Sequence, residues 1–337
     1  MATLAILLLI CSLASAETLL LTGATVHTVS GATMAQGDVL IQDGKIKGIY
    51  DASQPTTRAP IPADAKKIDL KGQHLYPGMI ALDTDMGLNE IGAIRATRDG
   101  GEVGEYTPEV QSWLAVNPDS ELLPVARANG VAYFEPTPRG AVVAGQSGLV
   151  ALDGWTTEQM VYKRQIGLHV YWPAMQLDTT PKERAKDKEK WKSLDEQAKE
   201  RREKIKALED FFEEAAAYAK AKGSAEKTKP FQLVPAWEAM LPYVNGDLPI
   251  VIHADEKRQI QSAVKWAVTN HRKIILAGAL DAWRAPELLA TNQIPVIYRH
   301  VFTQPTRDSD AYDAQFHGPE VLRKAGVKVV FGLSSRS

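Results

Sequence analysis

Eight apolar runs of strand length follow Pro77-Gly78, and several are separated by stretches with helical spacing. They fall at 79–85, 131–135, 148–152, 167–172, 248–253, 273–276, 294–298 and 327–331, with helical patterns at 256–270, 282–291 and 319–325. Strands that alternate with helices build a parallel sheet whose connections cover its outer face. Eight of them fit a closed (β/α)8 barrel better than an open doubly wound sheet. Neither a G-x-G-x-x-G nor a G-x-x-x-x-G-K-[ST] pattern argues for a nucleotide fold. The predicted fold class is therefore α/β, a TIM-like barrel over 77–337.

A different texture precedes it. Residues 17–76 hold short β-runs divided by turn residues, with Asp43-Gly44 as a hairpin signal between 38–42 and 45–50. The segment 52–65 is rich in Pro, Thr and Ala and reads as a loop, and 68–75 as one more strand pair around Lys71-Gly72. This is a small antiparallel β-module.

Residues 1–16 read as a secretory leader. An apolar run at 4–13 ends in Ala14-Ser15-Ala16, a small-residue cleavage pattern, and is too short to span a bilayer. Met1-Ala2-Thr3 lacks the usual basic residue, which leaves a start further upstream open. Cys11 is the only cysteine, and Ile10 before it is too large for a lipoprotein signal. It is expected to leave with the leader and is no candidate nucleophile. The expected location is secreted or periplasmic, with no membrane attachment after cleavage at Ala16.

Charge narrows the partners. Lys+Arg number 39 against 41 Asp+Glu, a net charge of −2, which gives no electrostatic footprint for nucleic acid. The densest charge lies at 182–222. Its mixed signs, with Ile205, Leu208, Phe211, Phe212 and Ala215 at helical spacing, point to a solvated one-sided helix inserted on the barrel exterior.

Two stretches carry a family resemblance. Leu21-Thr22-Gly23-Ala24-Thr25-Val26-His27-Thr28, with Gly37-Asp38-Val39-Leu40-Ile41-Gln42-Asp43-Gly44-Lys45-Ile46, resembles the β-module that opens amidohydrolase-superfamily proteins. Gly72-Gln73-His74-Leu75-Tyr76-Pro77-Gly78-Met79-Ile80 resembles the entry to their first barrel strand. The similarity is closest to the imidazolonepropionase-like and dihydroorotase-like branches. It implies a metal-dependent hydrolase barrel that attacks C–N bonds of a small-molecule substrate with metal-bound hydroxide. It also leaves a homo-oligomer open. Relatives with this frame continue past the eighth strand, so the chain is expected to extend beyond Ser337.

The resemblance also locates the site. The family's first strand ends in His-x-His; the matching positions here are Asp83 and Asp85. Alternation puts Met79, Ala81, Asp83 and Asp85 on one face, with both carboxylates at the C-terminal mouth of the barrel. Such a pair needs a cation or an Arg or Lys between its members, and both alternatives stay open. His253, closing the run Leu248-Pro249-Ile250-Val251-Ile252-His253, matches the fifth-strand metal ligand. Asp83, Asp85 and His253 are thus the candidate catalytic and metal residues, for Zn, Mn or Mg.

Other expected ligands are absent. Ala277 stands at the sixth-strand histidine and Ser334 at the eighth-strand aspartate, and no fourth-strand carboxylated lysine is visible. Asp255 or Glu256 is the available replacement base. Glu90, Arg127 and His300 are expected near the mouth. Three functions follow: an exported hydrolase of C–N bonds, a catalytically inactive amidohydrolase-fold protein that binds a ligand or partner, or an enzyme with relocated chemistry that uses the acidic pair without the usual metal.

Overall fold

The computed structural model describes residues 18–54, 60–140, 142–224 and 231–332. The predicted leader, including Cys11 and Ala16, and the Ser334 position lie outside them. The chain divides into two compact units, Met1–Gly78 and Met79–Ser337.

The first unit is built on β1 (Leu19–Val26), β2 (Met34–Gln42) and β3 (Lys45–Asp51), with β2 antiparallel to both. Asp43 and Gly44 join β2 to β3 with φ of 53° and 67°. Positive φ at both central positions is what a tight hairpin turn requires, and Asp-Gly supplies it at low cost. The strands β4 (Lys66–Asp69) and β5 (His74–Leu75) do not form the expected hairpin with one another. Each pairs in parallel with β1, β4 along Leu19 to Thr22 and β5 at Thr25 and Val26. The cause lies in β1 itself. Gly23 takes φ 73°, and the register shifts between Leu21 and Ala24, so one strand offers two separate edges. Ala24, Val26 and Val39 form this unit's own small core.

The second unit is an eight-stranded sheet in sequence order: β6 (Met79–Thr84), β7 (Val131–Pro136), β8 (Val143–Ala151), β9 (Val161–Tyr171), β10 (Ile250–Ala254), β11 (Ile274–Gly278), β12 (Val296–Tyr298) and β13 (Val329–Phe331). A bridge from Leu82 to Gly332 joins its two ends into a barrel. All eight predicted runs are strands. One departure is instructive: β8 runs antiparallel to both β7 and β9. Parallel neighbours need a crossover of about a dozen residues or more. Only 137–142 join β7 to β8, and 152–160 with the single turn of α2 (Thr157–Met160) join β8 to β9. Connections that short force the chain to double back.

Helices cover the outside. The element α1 (Leu122–Ala128) precedes β7, and α2 is N-capped by Thr156, whose hydroxyl accepts from Gln159 N–H. The charged insertion becomes α3 (Leu194–Gly223), opened by a Ser193–Glu196 capping box. Its first part, 182–192, is a short 3-10 turn and loop instead of helix. Leu208, Phe212 and Ala215 face inward and join one core with Leu168, Val170, Ile250 and Ile252. The helices α4 (Pro235–Val244), α5 (Lys257–Thr269), α6 (Pro286–Thr291) and α7 (Ala314–Lys324) complete the layer. Among the described residues no helix is long and apolar enough to cross a membrane.

Strand parity separates inside from outside. On β10, β11 and β12 the residues Ile252, Leu276 and Val296 pack outward against the helices, whereas Val251, Ala277 and Ile297 pack together with Leu82 inside. This fixes which side chains line the barrel mouth.

Candidate active-site remnant at the barrel mouth

Two residues beyond Val251 on the inner face lies His253, 7% exposed. By the same parity, Glu135 on β7, His169 on β9 and Arg299 just after β12 point inward, because Phe134, Leu168, Val170 and Tyr298 point out. Asp83 joins them by a different route. Ala81 packs in the outer core and Leu82 in the inner one, so simple alternation would turn Asp83 outward. The strand breaks its alternation instead: Asp83 takes φ 53°, and the register of β6 on β7 shifts between Ala81 and Thr84. The backbone flip brings its carboxylate, fully buried, into the interior. A left-handed aspartate costs on the order of 1 kcal/mol, which the interactions of its carboxylate must offset.

Those interactions are with arginines. Arg299 Nη1 donates to Asp83 Oδ2 at 3.0 Å. Arg139, in the loop after β7, brings Nη2 to 3.6 Å from Oδ1 and donates to the Asp83 carbonyl at 3.5 Å. His253 Nδ1 is 3.9 Å from Oδ2, too far for a hydrogen bond. Burial raises the Asp83 carboxyl above its ordinary range, and Arg299, then Arg139, then His169 pull the other way.

A second chain runs beneath. His253 Nε2 and His169 Nδ1 share a hydrogen bond of 2.9 Å. His169 Nε2 lies 3.3 Å from Glu135 Oε1, within ion-pair distance but outside hydrogen-bond geometry. Ser147 donates to Glu135 Oε1 at 2.7 Å, and the Asp83 N–H donates to Oε2 at 3.2 Å. Burial raises the Glu135 carboxyl, but His169, Ser147 and the Asp83 amide together outweigh it and hold it below the ordinary range. His253 is driven well below the usual histidine range, first by burial and then by the charges of His169, Arg299 and Arg139. It is therefore neutral, with Tyr171 stacked flat on its ring at 4.1 Å. Its Nδ1 has no hydrogen-bond partner among the described residues.

Among solved structures, the chain is similar to an amidohydrolase from Thermotoga maritima MSB8, with a TM-score of 0.76 across 94% of this chain and 79% of that one, at 22% identity. The barrel is an amidohydrolase fold. A prolidase complexed with N-methylphosphonate-L-proline aligns over 94% of this chain and 78% of its own, at TM-score 0.46 and 15% identity, too loosely to carry an argument. No protein-family model matches the sequence. No curated protein matches it either.

Amidohydrolase-fold proteins are usually metal-dependent, and the donors here can be tested against that chemistry. They do not fit. Among the described residues no three of His, Cys, Asp and Glu stand together so as to hold a metal ion. The Asp83 carboxylate already faces two guanidinium groups, whose charge opposes a divalent cation at the same spot. Next to His253 in register, the sixth-strand position is the methyl group of buried Ala277. The structure brings Asp83 and His253 together. Asp85 lies past the end of β6, where its carbonyl accepts from Leu88 and Asn89 in a turn.

Of the remaining expected residues, Glu90 and His300 follow the C-terminal ends of β6 and β12, on the mouth side, and Arg127 does not. Arg127 pairs with Asp153 at 2.6 Å on the surface. It belongs to the last turn of α1, just before β7 begins, and so stands at the end of the barrel opposite the mouth. Glu90 accepts from Ser120 at 2.9 Å and Asn117 at 3.3 Å in the loop beyond β6. His300 bonds Asp255 at 2.8 Å and Thr303 at 3.0 Å. The sequence reading missed Glu135, His169, Arg139 and Arg299. Three of them had a usable signal: a charged or imidazole side chain, at inward parity, near the C-terminal end of an apolar strand.

Proposed function

We propose that this chain is an amidohydrolase-fold protein whose barrel mouth binds a small molecule without a metal centre and without metal-assisted hydrolysis. The observation that supports this most directly is the engagement of Asp83 by Arg299 and Arg139. The arginines occupy the electrostatic role that a cation plays beside mouth carboxylates, and they do so permanently. The protein is also proposed to be exported, with cleavage after Ala16.

The buried chain from Glu135 through His169 to His253 favours a second reading, a hydrolase of C–N bonds that uses water activated by His253. A neutral imidazole with a free nitrogen at a mouth can accept a proton, and Glu135 can stabilise the charge relayed through His169. Metal content and a hydrolase screen on amides, cyclic amides and peptide-like substrates separate the two. Metal-free protein without turnover supports binding alone. Metal-free turnover that is lost in His253→Gln supports the relay. Turnover that requires near-stoichiometric metal overturns both.

A further inference from the structure

The segment between β12 and α7, residues 299–313, is held to the barrel by charge. Arg299 bonds Asp83 at 3.0 Å, and His300 Nε2 bonds Asp255 Oδ1 at 2.8 Å. Arg307 grips Asp281 with both arms of its guanidinium, Nη1 on Oδ1 at 2.7 Å and Nη2 on Oδ2 at 2.5 Å. Asp310 pairs with Arg284, which lies over the Trp283 ring and brings Nε to 3.4 Å from Asp281. Asp83, Asp255 and Asp281 stand at or just past the C-terminal ends of β6, β10 and β11, so one segment is tied to three strand ends around the mouth. Apolar burial adds little. Val301 packs against the main core, but every residue from 299 to 313 keeps part of its surface in solvent, and Phe302 and Tyr312 are 88% and 83% exposed.

We propose that residues 299–313 form a strap over the β10–β12 side of the mouth, and that its detachment as one unit opens the surroundings of His253 to solvent and ligand. Charged groups regain water when such a contact opens, so the segment can lift off while the apolar barrel stays folded. His253 lies two residues before Asp255 on the same strand end and is 7% exposed. Arg299 N–H stays on the Gly278 carbonyl at 3.2 Å and marks the near hinge, and Asp313, where α7 begins, marks the far one. Arg307 is the latch between them, because it makes a two-armed contact with a carboxylate that is 1% exposed. The strap is independent of whether the mouth holds a metal.

The test compares the full chain with Arg307→Gln, which leaves Asp281 its contacts with Arg284 and the Lys257 amide. Chymotrypsin under native conditions reads strap opening through cleavage after Phe302 and Tyr312, because such cleavage follows the population of the open form. Diethyl pyrocarbonate, with the labelled histidine identified by peptide mass, reads access to His253. Arg307→Gln is expected to cleave within 299–313 about tenfold faster or more, the loss of a charge-assisted two-armed contact. His253 labelling should rise in the same proportion, and cleavage inside the barrel strands should not. If Arg307→Gln does not fold, Arg307→Lys, which keeps the charge and loses the two-armed fit, takes its place with the same expectations. Cleavage within 299–313 no faster than in wild type overturns the strap. Faster cleavage there with unchanged His253 labelling overturns its control of the mouth. Cleavage that rises equally in the barrel strands means global unfolding, and overturns detachment as a unit.

Discussion

Arg299 reaches across the barrel mouth to hold the buried carboxylate of Asp83 at 3.0 Å, joining residues 216 positions apart in the chain. The contact links the first barrel strand to the end of the seventh. It also decides the chemistry of the mouth, because a carboxylate held this way is not an open metal ligand.

Removing the arginine should be costly. Arg299→Gln leaves Asp83 fully buried with only the longer approach of Arg139. Breaking one side of a buried pair costs about 3–5 kcal/mol. Denaturant unfolding should show a loss of this size, and Asp83→Asn in the same chain should recover most of it. Equal losses in the single and double variants would mean the pair does not stabilise the mouth.

The pH dependence follows from His253. Its native pKa lies well below the ordinary 6.5, so below about pH 6.5 the unfolded chain takes up a proton that the native chain refuses. Stability is expected to fall as pH drops through that window, with a slope of up to about 1.4 kcal/mol per pH unit. Asp83 acts in the opposite sense, because its raised carboxyl binds a proton in the native state before the unfolded one does. The difference between wild type and His253→Gln isolates the histidine. Parallel stability curves from pH 7.5 to 5.5 would contradict its neutral state.

The charged insertion should behave as part of the core. Phe212 is 2% exposed on α3 and meets Trp266 at 4.9 Å between ring centroids. Phe212→Ala should cost about 3–5 kcal/mol, the usual range for a buried phenylalanine. A change below about 1 kcal/mol would show that the helix is a detachable appendage.

Arg127 supplies the contrast. Its partner Asp153 is 88% exposed, and such pairs contribute about 0–1 kcal/mol. Arg127→Ala should leave stability close to wild type. A loss well above about 1 kcal/mol would contradict its place in an exposed pair.

The sequence exposes most of the architecture for a physical reason. Eight apolar runs, the Asp43-Gly44 turn and the one-sided pattern of 205–215 are local signals, and local signals survive into the fold. The antiparallel course of β8 was not legible: the predicted runs left 136–147 between them, room enough for a crossover, and only the earlier start of β8 at Val143 shortens the link to 137–142. The mouth was harder. His253 was found by position, and Glu135, His169 and Arg299 obey the same parity rule. Asp83 does not: its inward turn depends on a positive φ that no spacing reveals. Which partner that carboxylate takes depends on Arg139 and Arg299, more than 50 and 200 residues away respectively.

The most direct measurement is the metal content of the purified protein after exposure to Zn, Mn and Mg, compared with Asp83→Ala and His253→Ala. The expected result is well below one metal per chain in all three proteins, with no gain in Tm on adding any of these ions. Near-stoichiometric metal in wild type that disappears in either variant would show that Asp83 and His253 form a metal centre, and would contradict the account.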